Sequence, residues 1–338
     1  MMKAAVYTRA GDPDVIQLED REIPTPTDGE VRVRIVVSGV NPTDWKSRRG
    51  RDPESYQVPG QDGAGIVDAL GSGVTGWNVG DRVWVWDAAF QRPDGTSQEY
   101  LTIPVAHIVA LPEHASFDLG ASLGIPALTA HLALRAGDRT AKPLYAGALE
   151  GQFVLVAGGA GAVGHAAIEL AVFAGAHVIT TVSSDAKAAL VAAAGAHTVI
   201  NYRTEDVAAR IAEVAPDGVD RIVEVNPNAN ASLDVEVAKP HSTIAIYATD
   251  ESTPMPLIVN PSMGKNLSYR FILTYTSGAE EKSAAVAGVA HAVGAGALHV
   301  GEEHGLPLRY FELADTAAAH AAVEGAAVGK VLIRVAAN

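Results

Sequence analysis

The sequence predicts an α/β protein with two domains, one rich in β-strands and one built on a doubly wound parallel sheet. Three observations carry this. The chain has 338 residues, whereas single hydrophobic cores stop growing at around 250–300 residues. Up to Ser116, short strand-like runs are set between Gly, Pro and Asp. From there to residue 262, apolar strand-like runs alternate with Ala-rich helical runs, the pattern of parallel βαβ units with right-handed crossovers. Hydrophobic residues make up 48% and charged residues 19%, a globular composition.

Residues 3–9, 31–39, 63–70 and 81–86 read as strands separated by turn clusters such as Gly71-Ser72-Gly73 and Asn78-Val79-Gly80-Asp81. Residues 153–157 form the first strand of the alternating region and 163–174 its helix. Residues 177–182 form a second strand, followed by a helix over 185–194 that stops at Gly195. Strands at 198–201, 221–225 and 243–247 follow. After Ser262 come a strand over 267–275, an Ala-rich helix from Glu280 and a closing strand over 330–335 that returns to the first domain.

The formal net charge of −14 opposes non-specific affinity for nucleic acid or anionic membrane. No cysteine is present, which excludes disulfides and thiolate zinc sites. The eleven histidines are scattered and read as structural, and no His-Glu-x-x-His pattern occurs. The N-terminus lacks the apolar core of a signal peptide, and no apolar run nears ~20 residues, so a cytoplasmic protein is expected.

Gly159-Ala160-Gly161-Ala162-Val163-Gly164 fits G-x-G-x-x-G between an apolar strand and an apolar helix, the context that makes this pattern informative. Gly159 is expected to permit the tight turn, Gly161 to let a pyrophosphate approach, and Gly164 to let the helix lie close on the strand. The unpaired N–H groups at the helix start, over residues 161–164, would hold the anion. An NAD site places an acid at the end of the second strand to bond the ribose 2′-hydroxyl. Here that strand runs into Ser183-Ser184. Asp185 already opens the next helix and reads as a cap. Lys187 lies one turn in, within reach of a 2′-phosphate. NADPH is therefore the expected cofactor.

Several blocks in order resemble the zinc-free quinone oxidoreductases, of zeta-crystallin type, in the medium-chain dehydrogenase/reductase superfamily. They are Gly39-Val40-Asn41-Pro42-Thr43-Asp44, Pro59-Gly60-Gln61-Asp62-Gly63-Ala64-Gly65, Gly80-Asp81-Arg82-Val83, Gly124-Ile125-Pro126-Ala127-Leu128-Thr129-Ala130, the glycine turn, and Gly195 through Asp206. The resemblance implies a GroES-like catalytic domain over residues 1–125 and 263–338, interrupted by a Rossmann NADPH-binding domain over 126–262. It also implies a cofactor in the cleft between them. Gln61-Asp62 stands where zinc-dependent cousins carry His-Glu, so no metal is expected.

The same resemblance implies roles. Lys187 and Tyr202, beside Ser183, match positions that hold the 2′-phosphate. Asn226 and Ala248-Thr249 match loops along the cofactor. Thr129 and Asn41 match positions near the nicotinamide, and Asp44, Trp45 and Tyr56 fall in the substrate pocket. The implied activity is metal-independent transfer of hydride from NADPH to a quinone or α,β-unsaturated carbonyl compound. Asn41 and Thr129 would donate hydrogen bonds, and Tyr56, or else water, a proton. Asp44 reads either as a participant or as a loop-holding carboxylate. Two alternatives stay open: an enoyl reductase for carrier- or CoA-linked acyl chains, with a basic rim at Lys46, Arg48, Arg49 and Arg51, and a non-enzymatic cofactor-binding protein of crystallin or RNA-binding kind. The apolar outer strand over 267–275 invites pairing with a copy of itself, and the resemblance implies the same homodimer.

Overall fold

The structure is a computed structural model that describes residues 1–138, 140–249 and 254–336. It divides into two compact units, Met1–Ile125 with Pro307–Asn338, and Pro126–Leu306. Residues 263–306 therefore go with the parallel sheet, not with the catalytic domain as expected. The reason is pairing: Ser268–Phe271 adds to the parallel sheet beside Ala238–Ile246. The helix Ala279–Gly294 then buries Ala285, Val289 and Ala292 within the same unit.

The first unit is organised by one long strand, Glu30–Val40, at the centre of a seven-stranded sheet. Asp62–Leu70, Tyr100–Pro104 and Lys330–Arg334 all pair with it antiparallel. Its inward residues Val31, Val33 and Ile35 pack with Val67, Leu101, Ile103 and Ile333, the alternation a half-buried strand requires. Expected strands at 31–39, 63–70 and 81–86 appear as Glu30–Val40, Asp62–Leu70 and Arg82–Val85. The closing strand pairs with Glu30–Val40, with Val331 opposite Val40 and Ile333 opposite Ser38. The stretch after Asn41 is the helix Pro42–Gly50. Proline at its first position fits the helix start, and Asp44 accepts the N–H of Asn41 at 2.7 Å.

The second unit has a six-stranded parallel sheet. Numbered along the chain within this sheet, the strand order is 3-2-1-4-5-6, the doubly wound arrangement of dinucleotide-binding sheets. Ile179, Leu155, Ile222 and Ile244 form one buried row across four neighbouring strands. Near-continuous apolar strands of this kind are what a sheet covered on both faces demands. The order reverses between Phe153–Val156 and Val219–Glu224, and a ligand crevice is expected at the carboxyl ends of the strands at such a point.

Candidate cofactor and substrate site

The glycine turn joins Phe153–Val156 to the helix Ala162–Phe173. The left-handed backbone that closes the turn is at Gly158, with φ +66°, one residue before the position expected for it. Gly159 is needed for space instead: a Cβ there would run into Thr180 Oγ1. At Gly164 a Cβ would lie 2.7 Å from the carbonyl oxygen of Gly158, so the helix does rest on the turn. Gly161 is different. It is exposed, and the nearest atom to a Cβ built there is 3.6 Å away. The first N–H groups of a helix have no intrahelical partner. Those of Ala162, Val163 and Gly164 follow directly on the exposed Gly161, a helix start that fits a pyrophosphate.

The end of the next strand, His177–Val182, carries Ser183. Lys187, in the first turn of Asp185–Ala193, reaches back and donates to Ser183 Oγ at 3.2 Å. The Tyr202 N–H donates to the carbonyl of Val182 at 3.1 Å, which sets the exposed Tyr202 next to Ser183. Ser183, Lys187 and Tyr202 are thus gathered at one strand end, and no acidic side chain stands at residues 182–184. Asp185 accepts from Asn201 Nδ2 at 3.3 Å, in keeping with a local structural role.

Asn226 caps the helix Pro227–Val237 after the strand Val219–Glu224. Its N–H donates to the buried Glu224 carboxylate, which also accepts from Asn230 Nδ2. Burial raises the carboxyl groups of Glu224 and of its neighbour Asp234 above their ordinary range. Thr249, after Ala248, donates to Asn228 Oδ1 at 2.7 Å, so that loop is tied to the first turn of the helix Pro227–Val237. Thr129, on the helix Gly124–Leu134, shares a 2.6 Å hydrogen bond with Thr274, and both are buried.

In the first unit, Asn41 sits in a buried polar cluster. Its Nδ2 donates to Asp62 at 2.7 Å, and its Oδ1 accepts from Lys330 Nζ at 2.7 Å. Lys330 Nζ also stands 3.6 Å from Asp62. The Ile125 N–H donates to the other Asp62 oxygen at 2.8 Å. Asn41, Asp44, Asp62 and Lys330 are each no more than 4% exposed. Burial pushes the Asp44 carboxyl up to about 7, although the Asn41 N–H pulls it down. Burial likewise pushes Asp62 up to about 6, against the pull of Lys330. Sequence reasoning named Asn41 and Asp44 but missed Asp62 as the partner of Asn41 and missed Lys330 altogether. The available signal was a lysine opening a closing strand whose next three residues, Val331, Leu332 and Ile333, are apolar.

Two other expectations fare differently. The Tyr56 hydroxyl donates to Asp94 at 3.1 Å, and Arg21 stacks 3.8 Å from its ring centroid. It is not among the partners of Asn41. Trp45 is half-buried, with Lys46 Nζ 5.9 Å from its ring centroid. The basic rim required by the enoyl reductase alternative is also reduced. Arg48 is fully buried and donates to Glu324 and to the carbonyl of Gly11, and Arg49 is paired with the same Glu324.

Comparison with known proteins follows the same division. Residues 27–113 match the family model described as alcohol dehydrogenase GroES-like domain, and residues 162–291 match zinc-binding dehydrogenase. The quinone oxidoreductase of Sus scrofa is 32% identical over 289 residues, covering 83% of each chain. The chain belongs to the zinc-independent quinone oxidoreductase family of the medium-chain dehydrogenase/reductase superfamily. Its fold is the GroES-like β domain with a Rossmann domain expected of an oxidoreductase that uses a nicotinamide cofactor. Among solved structures, a mycobacterial protein complexed with NADPH superposes with TM-score 0.79 at 28% identity, covering 99% of this chain and 100% of that one. An NAD-dependent alcohol dehydrogenase gives TM-score 0.84 at 26% identity, covering 99% and 100%.

The zinc in one model's description does not fit this family member's side chains. Among the described residues, no group of three or more His, Cys, Asp or Glu comes together to hold a metal ion. The Asp62 carboxylate is occupied by Asn41, Ile125 and Lys330, and Gln61 Oε1 accepts the N–H of Ala89. The histidines read as structural include His131, which accepts the Leu144 N–H at 2.9 Å and is kept neutral by burial, its pKa lowered to about 3. Among the described residues no helix is long and apolar enough to cross a membrane.

Proposed function

We propose that the protein binds NADPH and reduces a quinone or an α,β-unsaturated carbonyl compound without a metal. The observation that carries the cofactor choice is the acid-free strand end where Lys187 meets Ser183. A 2′-phosphate there would accept from the Lys187 ammonium, the Ser183 hydroxyl and the Tyr202 hydroxyl, charge-assisted bonds that a 2′-hydroxyl cannot match. The N–H groups of Ala162, Val163 and Gly164 would hold the pyrophosphate, and Asn226, Ala248 and Thr249 would line its path. NADPH, when bound, supplies the hydride.

Quinones and enones are already electrophilic, so the protein has to orient them and stabilise the oxygen that gains charge. An Asn41 N–H suits that task, and the Thr129 hydroxyl serves beside the nicotinamide. Asp44 acts by holding the Asn41 backbone, and Trp45 walls the pocket. Because the Tyr56 hydroxyl is given to Asp94, we assign the final proton to water instead. The relatives support this reading: the matched porcine protein is a quinone oxidoreductase, and a tomato protein 34% identical over 234 residues is a 2-methylene-furan-3-one reductase. The test is loss of NADPH absorbance on adding benzoquinone, phenanthrenequinone or simple enones. Turnover with at least one acceptor is expected. Measurable NADPH binding without oxidation by any of them would end the assignment.

The outer strand Ser268–Phe271 supports a homodimer with a continuous sheet. Its free edge carries the exposed Phe271, with exposed Leu273 just beyond, and bare apolar edges favour pairing. Light scattering should give twice the chain mass; a monomer at all concentrations would reject it.

A further inference from the structure

We propose that Lys330 is a positioning residue that, together with Asp62, fixes which way the Asn41 carboxamide faces. The proposal rests on the reading above, in which Asn41 meets the acceptor's oxygen. A carboxamide can turn over, exchanging its NH2 donor and its C=O acceptor. The two neighbours of Asn41 allow only one arrangement. A lysine ammonium offers donors and no acceptor, whereas an ionised carboxylate only accepts. With Lys330 Nζ on Oδ1 and Asp62 on Nδ2, each at 2.7 Å, both needs are met. Turned over, the amide would set N–H against an ammonium and C=O against a carboxylate, in a buried place where unpaired polar groups are costly. The amide has two N–H bonds. Asp62 takes one, and the second keeps a fixed direction for the acceptor.

The fold is built to bring these groups together. Val331 lies opposite Val40 in an antiparallel pair, so the register itself sets Lys330 beside Asn41. Asp62 lies opposite Gly39 on the other side of the same central strand. A Cβ at Gly39 would run into the carbonyl oxygen of Ala121 and lie 3.1 Å from Lys330 Cε, so the missing side chain leaves the lysine its passage. A Cβ at Gly124 would collide with Asp62 Oδ1, the oxygen that accepts the Ile125 N–H. Two backbone positions are thus kept bare around one lysine and one aspartate.

The experiment compares Lys330→Met with Asp62→Asn/Lys330→Met in the full chain. The single variant leaves Asp62 buried without its cation, and the double variant removes that unpaired charge, so folding should recover in the double variant. If Lys330 positions Asn41, kcat with benzoquinone falls on the order of tenfold to a hundredfold in both variants, while NADPH affinity stays unchanged. In protein carrying isotope-labelled asparagine, the Asn41 side-chain amide protons should exchange slowly with solvent in the wild type and markedly faster, with shifted resonances, in both variants. Recovery of kcat together with melting temperature in the double variant would overturn the proposal. So would Asn41 amide signals that ignore the loss of Lys330. Should the wild type reduce no acceptor at all, the proposed function falls, and the amide signals still decide the positioning.

Discussion

The phosphate turn and the Asn41 cluster solve opposite problems with opposite materials. The turn is backbone, exposed at Gly161, and made of consecutive residues whose N–H groups have no partner within the helix. The cluster is the buried side chains of residues 41, 62 and 330, which only strand register brings together. An anion cradle needs unpaired donors; a device that orients one amide needs every other polar atom around it already paired. Damage should therefore show differently in the two places.

The largest effect is expected at the turn. Gly161→Asp puts a carboxylate where the pyrophosphate belongs, and like charges at close range should cost at least about a hundredfold in NADPH affinity. Because the space there is open, melting temperature should barely move. Gly164→Val makes the contrast: the helix cannot stay on Gly158 and Gly159, so the melting temperature itself falls. Equal behaviour of the two variants would erase the distinction.

Next in size is Lys187→Glu. Loss of a charge-assisted bond to the 2′-phosphate should weaken NADPH by roughly tenfold or more relative to NADH, read by fluorescence titration of both. Parallel losses would remove Lys187 from phosphate recognition.

A smaller effect concerns pH and belongs to the buried cluster. Asp44 and Asp62 are raised from 3.8 to about 7 and about 6. In the native state they keep protons that the unfolded chain has released, so stability falls as pH rises through that interval. Measured from pH about 4 to 7, the melting temperature of Asp44→Asn should decline less steeply than that of the wild type. An identical slope would mean Asp44 does not titrate there. The smallest effect is at Tyr56. With its hydroxyl on Asp94, Tyr56→Phe should leave kcat within about twofold, far from the ~10²–10⁴-fold expected on losing a general acid.

The same contrast explains what the sequence discloses. The glycine turn, the strand–helix alternation and the empty acidic position are local, so each is legible in a few consecutive residues. Even there one detail shifts: the left-handed backbone is at Gly158, and Gly159 stays bare because Thr180, on the neighbouring strand, packs against it. Asp62 reads as a mere substitute for a zinc ligand until the strand pairing puts it beside Asn41. Lys330 reads as the polar first residue of a strand, and nothing nearby in the chain announces a buried partner. Arg48 looked like part of an exposed basic run; only the distant Glu324 and the carbonyl of Gly11 explain why it is buried. The misplaced boundary at 263 has the same origin, since strand Ser268–Phe271 declares its sheet only through pairing.

The most direct test of the whole account is calorimetric titration of the purified, folded chain with NADPH. Saturable heat with one dinucleotide per chain, and tighter binding than NADH, is the expected result. No heat with either dinucleotide would contradict it.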